Sequence, residues 1–392
     1  MDDESTATSP RLRLSARRSI EAVLDRIEAR LQDADDGFHR IGAAASRREL
    51  DGSGLPPEAQ LLWERWDGLD LACSEAVILS LQDLSQATDV ALSEGRISVG
   101  DRVIGERGRD LFVLAADPFA EGADVILVEE DGGRQPHSST VERLVLAVLG
   151  EIAILYDEDG EFCEELYGDD GELLPAVERR MLRRHLDLDQ DAPLARFRLA
   201  LSLRRFGELR AAATELGQLH RRAPDFAWGN HERGRVALLL GDRGGATRAF
   251  DAAAEIAART SLEPELRAYF LAWGALAAEG EQRAALAANV CELMPAFAAA
   301  QEAGVREALE FEHAERAREQ LELGLAVAPA HLGLLSLRTD VDEISPPSQS
   351  PVGSPEDSPP RTRPPGPKPR RRDPGGGGER RRRPHRQGKV PR

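Results

Sequence analysis

PLARFRLALSLRRFGELRAAATELGQLHRRAPDF (residues 193–226) runs directly into AWGNHERGRVALLLGDRGGATRAFDAAAEIAART (residues 227–260), and the second string echoes the first at a shift of 34 residues. Ala200 meets Gly234, Gly207 meets Gly241, Glu208 meets Asp242, Ala212 meets Ala246 and Leu216 meets Phe250. A self-match at this period is the mark of a repeated helical hairpin. Small residues at Ala200/Gly234 and Ala212/Ala246 let two antiparallel helices approach closely. Gly207 and Gly241 end the first helix and permit a tight turn. Leu216 and Phe250 fill the space between helices, and Pro224 stops the second helix of the first unit.

This period and its small–large–small spacing resemble the tetratricopeptide family, whose arrays bind peptides or protein segments in a concave groove. In that family the groove is lined by the first helix of each unit. Carried over, the resemblance implies Leu194, Phe197, Leu201, Arg204 and Arg205 in the first unit. It implies Trp228, His231, Arg235, Leu238 and Leu239 in the second. Such a surface is apolar with an arginine cluster, suited to a peptide with hydrophobic anchors and carboxylates. Phe197 and Trp228 equally suit packing against a neighbouring unit. The Lys/Asn pattern of the family's carboxylate-clamp members is missing, so a chaperone C-terminus is not implied. Beyond Ala258 the echo is less regular. Gly280 to Ala285 repeats the Gly207 to Ala212 turn after an insertion near Thr260 to Pro264, and Ala317, Leu321 and Gly324 mark a further unit ending at Pro329. His331 to Arg338 then reads as a closing helix. Four units exceed the roughly three needed for a stable stack.

The 392 residues allow two or three domains with their own cores. The net charge of −18 is unevenly placed: residues 345–392 hold 13 Lys/Arg against 4 Asp/Glu, a net of +9, leaving −27 for the rest. An acidic body repels nucleic acid except through its basic tail. The only lysines, Lys368 and Lys389, lie in that tail; arginine-only usage elsewhere, with abundant Ala, Gly and Leu, points to a GC-rich bacterial genome. Cys73, Cys163 and Cys291 are odd in number and far apart, which fits neither a disulfide framework nor zinc spacing and reads as buried free thiols in a reducing cytoplasm. No signal-like or membrane-length apolar run is visible, so the expected compartment is cytoplasmic.

Ahead of the repeats, residues 1–10 read as disordered, and Ile20, Val23, Leu24, Ile27 and Leu31 give an amphipathic helix. A Gly/Ala-rich loop from Ile41 to Ser46 and a turn over Leu50–Leu55 follow. Leu55-Pro56-Pro57-Glu58 opens a helix carrying Leu61, Leu62 and Trp66. Ala76–Leu81, Val103–Gly105, Leu111–Leu114 and Val125–Val128 read as strands, with a brief helix over Gln82–Ala91 after the first. Ser139 and Glu142 stand at capping-box spacing before a helix through Leu144, Val145, Val148 and Leu149. This helix–four strands–helix order, with LPPE at residues 55–58, Trp66-Asp67-Gly68, Ile104-Gly105, Arg107-Gly108-Arg109-Asp110 and Val128-Glu129-Glu130, resembles the SUKH superfamily of toxin-immunity and cell-wall-regulator domains. The resemblance covers residues 53–150 and implies recognition of a protein, with the acidic surface as contact for a basic toxin. A generic α+β module accounts for the same order.

The expected architecture is multidomain. A disordered start and amphipathic helix (1–52) precede an α+β domain with a small antiparallel sheet (53–150). An acidic connector (151–192) carries the paired echoes Leu155–Glu161 and Leu166–Glu172, each with an Asp-Gly turn, and an Arg-rich helix over Pro175–Leu186. The α-helical solenoid of tetratricopeptide type (193–340) follows, then a disordered Pro/Arg-rich tail (341–392).

Chemistry is sparse. Asp157-x-Asp159-Gly160 and Asp187-x-Asp189-x-Asp191 lack the glycine and glutamate positions of a calcium loop, and read as solvated turns. His137, His185, His220 and His231 sit in no catalytic motif and read as exposed or helix-terminal. There is no G-x-S-x-G, P-loop or H-E-x-x-H. No catalytic, cofactor or metal residue is therefore expected. The expected function is non-enzymatic: an immunity-type or regulatory adaptor, or a scaffold, holding a protein or peptide. Nucleic acid enters only through residues 361–392, where Arg370–Arg372 and Arg380–Arg383 could neutralise phosphates.

Overall fold

The computed structural model describes residues 14–34, 37–118, 122–157, 159–168, 171–259 and 264–344. The expectations for residues 1–10, for most of the insertion near Thr260 to Pro264 and for the tail from Ser345 lie outside them. All described residues fall in one compact unit.

The first layer is helical. α1 (Leu14–Gln32) buries Ile20, Val23, Leu24, Ile27 and Leu31, the stripe its spacing predicts. A seven-stranded sheet follows, antiparallel throughout and in sequence order. Its strands are β1 (Arg40–Ile41), β2 (Leu69–Leu71), β3 (Ala76–Ile78), β4 (Arg102–Arg107), β5 (Asp110–Leu114), β6 (Val125–Val128) and β7 (Arg134–Ser138). Three more strands are present than the four expected: β1 and β2 are very short, and β7 contains Pro136 among polar residues. Between β1 and β2 lie α2 (Arg47–Gly52) and α3 (Pro57–Arg65), and α4 (Leu81–Ser93) follows β3. α3 starts at Pro57 as its sequence requires, and Trp63, fully buried, donates its indole N–H to the Leu79 carbonyl at 2.9 Å.

The sheet is covered on both faces, which is why β6 reads as an unbroken apolar run. Phe112, Leu114, Val125 and Leu127 join the core shared with α1, α3 and α5 (Val141–Leu155), whereas Val103, Val113, Ile126 and Val128 pack with Ala91 of α4 and Ile97. β3 and β4 approach so closely at Gly105 that a β-carbon there would fall 2.4 Å from the Val77 carbonyl oxygen.

α5 runs to Leu155, beyond residue 150, and the expected capping box at its start is absent. Thr140 is the cap residue and makes no side-chain cap bond. Ser139 instead gives both its N–H and its hydroxyl to Asp189, fifty residues on. A true capping box occurs at Ser46 and Glu49, ahead of α2, in a stretch the sequence presents as loop. The two acidic echoes form small turns closed by the pairs Tyr156/Phe162 and Tyr167/Leu173, each with a left-handed glycine, Gly160 and Gly171. The cysteines are free, but Cys73 and Cys291 are exposed rather than buried, Cys73 because it sits on the left-handed turn between β2 and β3.

α6 (Pro175–Leu188) leads, among the described residues, into nine helices arranged as four hairpins and a closing helix. The hairpins are α7 (Pro193–Arg205) with α8 (Leu209–Arg222), α9 (Ala227–Leu239) with α10 (Arg243–Arg259), α11 (Pro264–Ala277) with α12 (Gly280–Leu293), and α13 (Phe297–Glu310) with α14 (Ala314–Val327). α15 (Leu332–Ile344) closes the array. Gly207, Gly241 and Gly280 take the left-handed conformation at the turns, at φ of 76°, 82° and 56°, and Glu312 takes it in the fourth hairpin at 56°. Ala200, Ala212, Leu216, Gly234, Ala246 and Phe250 are all buried, and Pro224 lies just past the end of α8. The helical half is thus a tetratricopeptide-like array. Its fourth hairpin departs from regular stacking, because α14 lies against α11 and α12.

The sheet and the array share a core. Leu188 and Leu194 pack with the sheet-side residues, and α7 lies against β7. His137, expected near a helix end, is in β7 and buried, its ring edge-on to Phe112 at 5.5 Å and 5.4 Å from His185. Burial first, then the neighbouring His185, pushes its pKa down to about 3. The unfolded ring titrates near the ordinary 6.5. The unfolded chain therefore binds the proton first, and stability falls as pH drops from about 6.5 towards about 3. Unfolding free energies from urea titrations across that window should decline by about 1.4 kcal/mol per pH unit for each such group. His137→Phe should flatten the decline, whatever its offset in absolute stability. An unchanged slope would remove His137 as a cause.

Candidate functional site

Positions 197, 201, 204 and 205 on α7, and 228, 231, 235 and 239 on α9, are spaced to share one face of each helix. Their exposure separates them. Leu194 is buried in the shared core and takes no part in an open face. Phe197 is half-buried and edge-on to Phe226 at 5.1 Å, so it acts mainly in packing; Leu201 is half-buried. Trp228 is 41% exposed, with one edge against Phe270 at 5.2 Å. Leu238 is half-buried and Leu239 exposed.

His231, expected to line the groove, is only 3% exposed. Trp228, Phe250, Tyr269, Phe270 and Trp273 surround it with ring centroids 5.3–5.6 Å away. Burial, then Arg235 and Arg204, holds its pKa well below the ordinary value, so the ring is neutral and a partner would meet its aromatic neighbours instead.

The three arginines do come together. Arg204, Arg205 and Arg235 line one cleft of about 450 Å³ whose other wall is His313, Glu315, Arg316 and Glu319, from the start of α14. Two are already engaged. Arg204 donates to the buried Glu232 of α9, whose pKa burial raises even against that neighbour. Arg235 lies 4.8 Å from the Trp273 ring centroid and donates to Glu319 at 2.7 Å. Glu319 also accepts from the Tyr269 hydroxyl at 3.1 Å; burial first, then this carboxylate, pushes the phenol up to about 12. Arg205 is exposed and has no hydrogen-bond or ion-pair partner among the described residues. The cleft therefore offers one unpartnered guanidinium fork, Arg205, beside the paired Arg204, Arg235 and Arg316, with the Glu315 carboxylate on the opposite wall. It can orient a carboxylate.

No family model matches this chain. No curated protein matches it either. Among solved structures, the MamA RS-1 ArsTM double mutant aligns with 45% of this chain and 86% of its own, at 15% identity and a TM-score of 0.29. YrrB, described as a TPR protein with an unusual peptide-binding site, aligns with 40% of this chain and 97% of its own, at 16% identity and a TM-score of 0.19. The tetratricopeptide-like reading stands on the hairpins themselves.

Glu319 and Tyr269 are among the site residues that sequence spacing does not find. Both come from hairpins whose register has drifted, and nothing local to Glu319 signals a contact 84 residues back with Arg235. No group of three or more His, Cys, Asp or Glu residues able to hold a metal occurs among the described residues. None of the described helices is long and apolar enough to cross a membrane.

Proposed function

We propose that this chain is a non-enzymatic binding protein that holds a segment of another protein on the α7–α9 face. In this reading an apolar residue of the segment contacts Trp228 or Leu201, and a carboxylate meets Arg205. The supporting observation is the convergence of Arg204, Arg205 and Arg235 on one cleft; of these three, Arg205 alone has no hydrogen-bond or ion-pair partner among the described residues. The full chain is the right bait, because Leu194 and α7 belong to the shared core and cutting at residue 193 would expose it. With a photo-crosslinker in place of Leu201, Arg205→Glu should reduce capture of the partner by about tenfold, since a charge-assisted hydrogen bond is lost and repulsion added. Trp228→Ala should reduce it as well, and Arg210→Glu, on the exposed side of α8, should not. Capture indifferent to both Arg205→Glu and Trp228→Ala would sink this reading.

The finer role, an immunity-type or regulatory adaptor, rests on the SUKH resemblance of residues 53–150. Co-expression with a neighbouring toxin gene distinguishes it from a scaffold, since only immunity rescues growth.

A further inference from the structure

A second hollow lies where the end of α1, the Phe38–His39 segment, the last turns of α5 and the first acidic turn meet. Its volume is about 360 Å³, within the ~300–1,000 Å³ range of small-molecule sites. The floor is apolar, from Leu149 and Ile152, both almost fully buried. One wall is aromatic, with Phe38 edge-on to Tyr156 at 5.3 Å.

Its polar groups are unusual. Arg30 lines the hollow, and its Nη1 is buried without any hydrogen-bond partner. A guanidinium nitrogen left in this state costs free energy, and native structures rarely tolerate it without a reason. No carboxylate relieves it: its charged neighbours are Arg26 and Arg184, and burial followed by these two cations lowers its pKa. His39 supplies a second donor. Its Nδ1 accepts the Ala72 N–H at 3.1 Å, and burial lowers the pKa of the ring, so the neutral tautomer carries its proton on Nε2. Asp33 and Asp157 stand at the rim, both exposed.

We propose that this hollow binds a carboxylate carried on an aromatic or branched apolar body, the carboxylate meeting Arg30 and the Nε2–H of His39 and the body lying against Phe38, Tyr156 and Ile152. Arg30 has no ion-pair partner among the described residues, so the carboxylate would be its counter-ion, and Arg26 and Arg184 beside it oppose the exposed Asp33 and Asp157. The same chemistry is available from a free aryl or branched acid and from the C-terminal residue of a peptide.

Isothermal titration of the full chain tests this with phenylacetate, 2-phenylethanol, and a tripeptide ending in phenylalanine as free acid and as amide. Phenylacetate or the free-acid peptide should bind saturably, and whichever is tighter identifies the source. Phenylethanol and the amide should bind roughly ten- to a hundredfold more weakly, the worth of a hydrogen bond to a charged group. Arg30→Gln should lose the same factor while melting at or above the parent temperature, because an uncompensated cation is removed. Ala153→Phe, at an exposed lining position, should block the hollow and abolish binding without disturbing the core, so the test survives should the first variant fold poorly. Absence of saturable binding by both acids, or equal affinity in the parent and Ala153→Phe, would overturn the assignment.

Discussion

Replacing Asp189 by alanine should destabilise the protein by about 3–5 kcal/mol, the cost of breaking a buried charged hydrogen-bond set from one side. Asp189 is 0% exposed, and its two oxygens accept from the Ser139 N–H at 2.8 Å and the Ser139 hydroxyl at 2.7 Å. It also accepts from the Asp191 N–H at 3.2 Å, and Arg143 stands 4.0 Å away. Alanine would leave the Ser139 donors in the core with nothing to accept them. The same contact ties the start of α5 to the end of α6, so the loss falls at the joint between sheet and array. Asp189→Asn keeps one acceptor oxygen and should cost distinctly less. Urea unfolding of the three proteins measures the series, and a loss below about 1 kcal/mol for the alanine variant would show that the joint is held by apolar packing alone.

That contact also marks where sequence reasoning stops. Ser139 and Glu142 have the right spacing for a local cap, and local rules cannot see a carboxylate fifty residues away that takes the serine instead. The missed strands have a similar cause. Leu69-Asp70-Leu71 and Arg40-Ile41 are too short to show a period of two, and Pro136 argues against β7, which is nonetheless acceptable at the end of a sheet. By contrast, the stripe of α1, the run of β6 and the first two hairpins were legible, because each depends on spacing within one element or one repeat. The site divides in the same way. Arg204, Arg205 and Arg235 follow from repeat position. The burial of His231 depends on the rings that α10 and α11 bring over it, and the pairing of Arg235 with Glu319 on where the fourth hairpin comes to rest. Its drift is visible in one residue, Glu312, standing at a left-handed turn where the other hairpins have glycine.

Phe250→Ala should cost about 3–5 kcal/mol, as expected for a phenyl ring removed from a packed interior. Phe250 is 0% exposed and stacks on Trp273 at 5.6 Å, so the surroundings cannot easily collapse into the space. Its ring exists where it does because residue 234 is glycine: a β-carbon there would fall 2.6 Å from the Phe250 ring. Gly234→Ala should therefore destabilise by about 1–3 kcal/mol through overpacking, outweighing the roughly 1 kcal/mol that alanine gains over glycine within a helix. The first hairpin solves the same problem with Ala200 and Leu216, a larger residue on one helix and a smaller one on the other. Transplanting that solution as Gly234→Ala with Phe250→Leu should recover at least about 1 kcal/mol relative to the sum of the single variants. Urea midpoints of the four proteins decide it, and strict additivity would break the equivalence of the two hairpins. Because the Phe250 ring also backs His231 beside Trp228, Phe250→Ala should lower partner capture together with stability. Arg205→Glu should lower capture while leaving the unfolding midpoint in place, so the pair separates the array as a support from its surface as a site.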